Sequence, residues 1–126
     1  MSDLSEDHGA LLTAVSNAMV RLHKEHFGRG PTNSRSSFAG PDALLCVLSD
    51  VLLPAERKLV SLGQQERVRD ARTSFQAATE AEFIAAVEQI VGRKVIAFAS
   101  GVDANNNVIF ENFLFAPADG DSAADV

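Results

Sequence analysis

A β-hairpin pattern near the C-terminus constrains the fold of this chain more than any other feature. Two apolar segments, Val95–Ser100 and Val108–Phe115, flank the sequence Asp103-Ala104-Asn105-Asn106-Asn107. Asn and Asp tolerate positive φ, so this sequence predicts the loop of a hairpin. Because side chains alternate along a strand, the return strand is predicted to place Ile109, Phe113 and Phe115 on one face and Phe110 and Leu114 on the other.

The N-terminal part predicts a helix followed by a second hairpin. Apolar residues at helical spacing predict a helix from about Ser5 to His26, which ends at Gly28. The polar residues that follow include a candidate edge strand near Ser34, and Gly40-Pro41-Asp42 predicts a turn. Leu44–Val51 is apolar, short and bounded by turn signals, which predicts a buried strand.

Two helices are predicted between the hairpins. The first begins at Pro54, because proline is favoured at the first helical position, and ends at Gly63. The second runs from about Gln65 to Val91 and stops at Gly92. Its predicted apolar face comprises Val68, Ala71, Phe75, Ala78, Phe83, Val87 and Ile90.

The order helix, two strands, two helices, two strands predicts an α+β fold. A small antiparallel sheet of two β-hairpins is expected to pack against the long helix and the N-terminal helix. The strings Phe27-Gly28-Arg29 and Val91-Gly92-Arg93 are alike, which suggests an internal repeat of helix and hairpin, although glycine and a cation after a helix are common. The polar strand near Ser34 is predicted at a sheet edge, where two copies could pair as a homodimer.

Length and charge predict one domain with two acidic tails. The 126 residues carry 17 Asp and Glu against 11 Lys and Arg, and six of the acids fall in residues 1–7 and 118–126. Residues 8–117 form the predicted domain and are neutral overall, whereas the tails are predicted to be disordered. A neutral body argues against nucleic-acid binding, and no segment reaches the ~20 apolar residues of a membrane span.

The reactive and metal-ligating side chains are not arranged for catalysis or metal binding. Cys46 lies in an apolar run, which predicts an inert core thiol in a reducing compartment. His23 and His26 lack the i, i+4 spacing of the helical zinc motif, so neither a metal nor a cofactor is predicted. Glu111 lies in the middle of a predicted strand, and on a core-facing side it would need a partner such as Arg93 or Arg35.

The candidate binding site is the polar segment that follows the first helix. Two glycines free its backbone, a proline stiffens it, and hydroxyl and guanidinium groups suit a protein partner or an anion. A helix cap, a turn and an edge strand would explain the same residues without any ligand. The predicted site residues are Gly28, Arg29, Gly30, Pro31, Thr32, Arg35 and Arg93.

The segment Arg21–Thr32 resembles a signature of the MpsC domain family, named for a subunit of the sodium-translocating membrane potential-generating system. The resemblance covers about His8 to Pro117 and continues through Pro54-Ala55-Glu56-Arg57, Val68-Arg69, Arg72, Phe75, Phe83-Ile84, Val87-Glu88 and Gly92-Arg93-Lys94-Val95. Two positions depart from it: Leu53 stands where threonine is expected, and His26 stands where an aromatic residue is frequent. A threonine would cap the next helix and contribute about 1 kcal/mol.

The resemblance implies a small component of a membrane system that moves sodium or takes up bicarbonate. Because the sequence shows no catalytic residues, we expect a non-enzymatic accessory or regulatory protein that docks onto membrane transport subunits through Arg29, Thr32, Arg35 and Arg93. The expected location is cytoplasmic and peripheral at the inner face of the membrane. The alternative is a sensor domain in which the Gly28–Arg35 loop binds a small anion or metabolite.

Overall fold

The computed structural model of this chain describes the backbone of residues 2–117 and the side chains of residues 8–117. Its elements are α1 (Ser2–Phe27), β1 (Asn33–Phe38), β2 (Ala43–Ser49), α2 (Pro54–Ser61), α3 (Gln65–Val91), β3 (Val95–Asp103) and β4 (Val108–Phe115). The predicted α+β class and the predicted order of elements are confirmed.

The two predicted tails differ in what the structure says of them. Helix α1 begins at Ser2, before the predicted start near Ser5, so it extends through most of the segment predicted as a disordered tail. The predicted C-terminal tail, residues 118–126, lies outside the described residues.

The two hairpins join into one antiparallel sheet with the strand order β1-β2-β4-β3. The junction is the pairing of β2 with β4, in which Ala43 lies opposite Leu114 and Ser49 opposite Val108. Strands β1 and β3 are therefore the edges, and the predicted polar edge strand is confirmed. This symmetric order is the arrangement that a repeated helix and hairpin would give.

One face of the sheet carries the core. Helix α1 packs against β1, α3 packs against β3, and the two helices contact each other. Apolar side chains from α1, α3 and the inner faces of β2 and β4 fill the space between these layers. The largest buried ones are Phe83, Phe113, Phe115, Met19, Leu44, Leu48 and Leu52.

The predicted apolar face of α3 is partly wrong. Val68, Phe83 and Val87 are buried as expected, but Ala71, Phe75 and Ala78 are exposed. Arg72 and Thr79 take part in the buried stripe instead. Apolar periodicity missed them because each polar group has an internal partner: Arg72 binds Glu56, and the Thr79 hydroxyl donates to the Phe75 carbonyl at 3.0 Å.

Helix α2 begins with half of a capping box. Leu53 has no side-chain oxygen and makes no side-chain cap, whereas the Glu56 carboxylate accepts a hydrogen bond from the Leu53 N–H at 2.8 Å. Glu56 thereby satisfies one amide at the start of the helix, as the third residue of a capping box does. The helix has no buried residues and packs against α3.

Candidate functional site

The predicted binding loop folds back on the protein, and Arg29 is the residue that closes it. Its Nη1 donates to the Leu52 carbonyl at 2.7 Å, and its Nη2 donates to Asp50 Oδ2 at 3.2 Å. The hydrogen bond from Arg29, aided by the Thr32 hydroxyl, holds the pKa of Asp50 below its usual value. Arg29 therefore ties the α1–β1 loop to the β2–α2 connection, and its charge already has an internal partner.

The backbone of the loop is also engaged. The Gly28 N–H donates to the Lys24 carbonyl at 2.8 Å and the Thr32 N–H donates to the Ser49 carbonyl at 3.1 Å. Gly28 ends α1 in the left-handed conformation with φ of 83°, and Pro31 is buried. These contacts match the structural interpretation of the loop, a helix cap followed by a turn and an edge strand.

Gly30 is required by the close approach of the loop to α1. A Cβ at this position would lie 2.9 Å from the Val20 carbonyl oxygen and 3.1 Å from Val20 Cγ1. We expect Gly30→Ala to lower the free energy of unfolding in urea by about 1–3 kcal/mol, because backbone must move to relieve the contact. Gly9→Ala is the control, since open space surrounds Gly9 on α1 and alanine favours helix. Equal effects of both substitutions would contradict this reading.

Arg93 holds the opposite end of the sheet together. Its guanidinium donates to the Pro41 carbonyl at 2.8 Å, to Asp42 Oδ1 at 2.6 Å and to the Ala116 carbonyl at 2.8 Å. Asp42 precedes β2 and Asp50 follows it, so Arg93 and Arg29 lie at opposite ends of this strand. The seven residues of β2 span about 20 Å. The structure therefore does not bring Arg93 and the loop into one site.

Arg35 is the predicted cation that keeps its side chain available. It is exposed on the edge strand β1, and it makes no ion pair or side-chain hydrogen bond with any residue from His8 to Pro117. Of the three predicted arginines, only Arg35 has a guanidinium without an internal partner among these residues and so available to an anion. Anion binding at the loop stays a prediction.

A buried polar cluster lies between α1 and the sheet. The sequence analysis did not predict that its residues would meet. Glu111 is fully buried on the core side of β4 and accepts a hydrogen bond from the Ser100 hydroxyl. His23 Nε2 lies 3.6 Å from Glu111 Oε2. The expected partner of Glu111, Arg93 or Arg35, was wrong, because both cations lie elsewhere while α1 brings His23 over β4.

The space beside His23 is too small for a substrate. Phe27, Arg72, Gln76 and Ser100 line a cavity that offers about 10 Å³ to the centre of a water-sized sphere. A single water needs about that much room. His23, Arg72 and Gln76 on its wall each carry a buried polar atom without a hydrogen-bond partner, so the cavity suits an internal polar network.

The other candidate residues have structural partners. Cys46 is buried, and burial raises the pKa of its thiol to about 11, although a hydrogen bond from the Ser36 hydroxyl opposes the rise. His26 Nε2 lies 3.3 Å from Glu82, away from His23. Within the part of the chain that the structure describes, no three His, Cys, Asp or Glu side chains come together to bind a metal ion.

No element within residues 2–117 covers the side of the sheet that faces away from α1 and α3, and we call this side the open face. Phe110 and Leu114 are 40% and 42% exposed there, and the small side chains beside Leu114, which include Ala43, Ala97 and Ala99, line a groove of about 210 Å³. The helices among residues 2–117 pack on the other side. The open face comprises Asn33, Arg35, Ser37, Ala43, Leu45, Val47, Ser49, Ala97, Ala99, Gly101, Asp103, Val108, Phe110, Asn112 and Leu114.

The sequence contained the signal for this surface. Both β2 and β4 carry mostly apolar residues on both of their faces. A sheet with one solvated face shows polar residues on that face. The two long predicted helices, the N-terminal one and the one from Gln65 to Val91, were expected to cover only one face of the sheet. The outward apolar residues, Leu45, Val47, Phe110 and Leu114, were therefore evidence for an additional contact surface that the predicted helices do not cover.

Comparison with known families assigns the chain to a family. A family model described as "Na+-translocating membrane potential-generating system (MpsC)" matches residues 7–116. The chain belongs to the MpsC family. No curated protein and no solved structure matches it.

The MpsC match covers α1 from Asp7 onward and all of the elements from β1 to β4. The resemblance read from Arg21–Thr32 and the later motifs is therefore confirmed. In this MpsC-family chain, Arg72 and Glu56 form the buried ion pair between α3 and α2, and Arg29 and Arg93 close the two ends of the sheet. No helix within residues 2–117 combines the length and the apolar character needed to cross a bilayer.

Proposed function

We propose that this chain is a non-enzymatic accessory component of a Na+-translocating membrane potential-generating system, and that it works by binding another protein component. Family membership supports the link to that system. The observation that carries the mode of action is the open face, where Phe110 and Leu114 remain exposed on a sheet whose other side is a packed core. Contiguous exposed apolar surface of this kind marks protein–protein contact sites.

The charges around the open face favour a protein contact over a nucleic-acid contact. Arg35 stands at one edge and Asp103 at the other, with apolar side chains between them. A nucleic-acid surface would instead need a continuous basic patch. The proposed location is the cytoplasmic side of the membrane, where the chain is held by its protein partners.

Capture of the other subunits of the same system tests this function. We expect Phe110→Glu and Leu114→Glu, each in the tagged full chain co-expressed with those subunits, to reduce their capture at least about ten-fold, because a buried charge at a contact costs more than 1.4 kcal/mol. Leu62→Glu is the matched control, since Leu62 is 60% exposed outside the open face. Thermal melts of all variants should stay close to wild type.

Two outcomes would contradict the proposed function. One is a wild-type chain that captures none of these subunits, and the other is a pair of open-face variants that capture them as well as Leu62→Glu does. The first outcome removes the link to the system, and the second removes the open face as the contact surface.

A further inference from the structure

We infer that the open face binds a second copy of this chain, so that the accessory component assembles as a two-fold pair of face-to-face sheets. The inference rests on the proposed function in one respect, that the open face is a contact surface. The second copy covers that face, and the other subunits of the system then dock on the assembled pair, so open-face substitutions reduce their capture by separating the pair. Two antiparallel sheets commonly pack in this way, with their inner faces about 10 Å apart. The apolar centre of the open face, around Leu45, Phe110 and Leu114, supplies the contact.

The size of the open face fits a specific but modest pair. Three outward residues on β1 and four on each of the other strands cover about 480 Å² at the usual strand spacing and rise, so a pair would bury about 960 Å² in all. Specific interfaces start near that area. We therefore expect a dimer that dissociates on dilution.

The register of the sheet decides how the two copies align. Arg35 lies opposite Val47, Val47 opposite Phe110, and Gly101 opposite Phe110, so one row runs from Arg35 on β1 to Gly101 on β3. A two-fold axis between the two sheets and parallel to the strands places this row of one copy over the same row of the other. It also places β1 of each copy over β3 of the other. The Arg35 side chain of each copy then lies over Gly101 of the other copy, where no side chain occupies the space.

Charge complementarity favours this axis. Asp103 is the next outward residue after Gly101 on β3, so each Arg35 comes within reach of an Asp103 carboxylate of the second copy. Hydrogen bonds from the Asn106 side chain and N–H hold the pKa of Asp103 below its usual value, which keeps it ionised at neutral pH. An axis perpendicular to the strands would instead bring the two β1 strands and both Arg35 side chains together, and like charges across an interface are unfavourable.

The oligomeric state of the purified full chain tests the pair. Sedimentation velocity and light scattering over a wide concentration range should show a monomer–dimer equilibrium for wild type and Leu62→Glu. Phe110→Glu and Leu114→Glu should be monomers at the same concentrations. A wild type that stays monomeric throughout, or a dimer that survives both open-face substitutions, overturns the inference; the second result would point to pairing at the β1 edge.

A charge swap tests the predicted alignment. Arg35→Asp and Asp103→Arg should each weaken the dimer about ten-fold, because each places like charges at both ends of the interface. The double variant should recover most of the wild-type affinity. Asp103→Arg also removes bonds within the hairpin turn, but Arg35→Asp cannot restore those bonds, so recovery by the double variant isolates the contact between copies. Without that recovery, the proposed alignment is wrong.

The pair and the proposed function fail in different ways. A dimer that captures no subunit of the system leaves the pair intact and removes the function. A monomer whose capture of those subunits depends on Phe110 removes the pair and leaves the function, with the open face bound directly to the system.

Discussion

Asn107→Ala should lower the free energy of unfolding by at least about 3 kcal/mol, a large effect for a half-buried loop residue. Asn107 Oδ1 accepts hydrogen bonds from both the Val51 and the Leu52 N–H at 2.8 Å. Val51 and Leu52 are buried, so alanine would leave two amides unpaired at a cost of about 1–3 kcal/mol each. Asn107 also has φ of 59°, a conformation that costs alanine about 1 kcal/mol more.

Two comparison variants separate the contributions at Asn107. Asn107→Gly removes the same two hydrogen bonds but accepts positive φ, so its loss should be about 1 kcal/mol smaller than that of Asn107→Ala. Asn106→Ala, in the same turn, loses only contacts with Asp103 at the surface and should change little. Urea unfolding followed by circular dichroism measures all three. A loss at Asn107 no larger than at Asn106 would show that the two amides find other partners.

Glu56→Ala should cost about 3–5 kcal/mol, because it leaves the Arg72 guanidinium buried without its counter-ion. Arg72 Nε and Nη2 donate to the two Glu56 carboxylate oxygens at 2.8 and 2.6 Å, and the side chain is 4% exposed. The substitution also removes the acceptor of the Leu53 N–H. Glu66→Ala, which removes an exposed carboxylate from the first turn of α3, should cost less than about 1 kcal/mol.

The same pair makes the stability of the protein sensitive to acid. Burial opposes ionisation of Glu56, but the hydrogen bonds from Arg72 and from the Leu53 N–H outweigh it and lower the pKa of Glu56 from 4.5. A lowered pKa stabilises the folded state above pH 4.5, and that stabilisation is lost as the pH falls through the folded-state pKa. Wild type should therefore lose stability below about pH 4.5 more steeply than Glu56→Ala. Parallel pH profiles would show that Glu56 titrates normally.

The elements of the fold could be read from the sequence because each has a local signal. Gly28 and Gly92 end α1 and α3 in the left-handed conformation, and the alternation in β4 gives the correct faces. What local signals cannot give is which charged residues meet across the fold. Arg72 and Thr79 appeared polar and were left off the buried face of α3, since burial of polar groups depends on partners that are distant in sequence.

The candidate site shows the same limit. Arg29, Arg35 and Arg93 were grouped because they follow similar glycines or lie close in sequence, but the sheet separates Arg93 from the loop by the length of β2. The partners of Arg29 and Arg93, Asp50 and Asp42, flank β2 and carried no sequence signal of pairing. The open face could have been inferred, because a strand with two apolar faces needs cover on both sides.

The pairing of β2 with β4 has a consequence for how the chain acquires its structure. Strand β2 emerges from the ribosome long before β4, its neighbour at the centre of the sheet. Until β4 is made, the β2 edge of the first hairpin has unpaired backbone N–H and C=O groups. Contacts this distant in sequence slow folding. During that interval the β2 edge is open to β4 of another chain, so exchange of whole hairpins between molecules is the misassembly route that this topology favours.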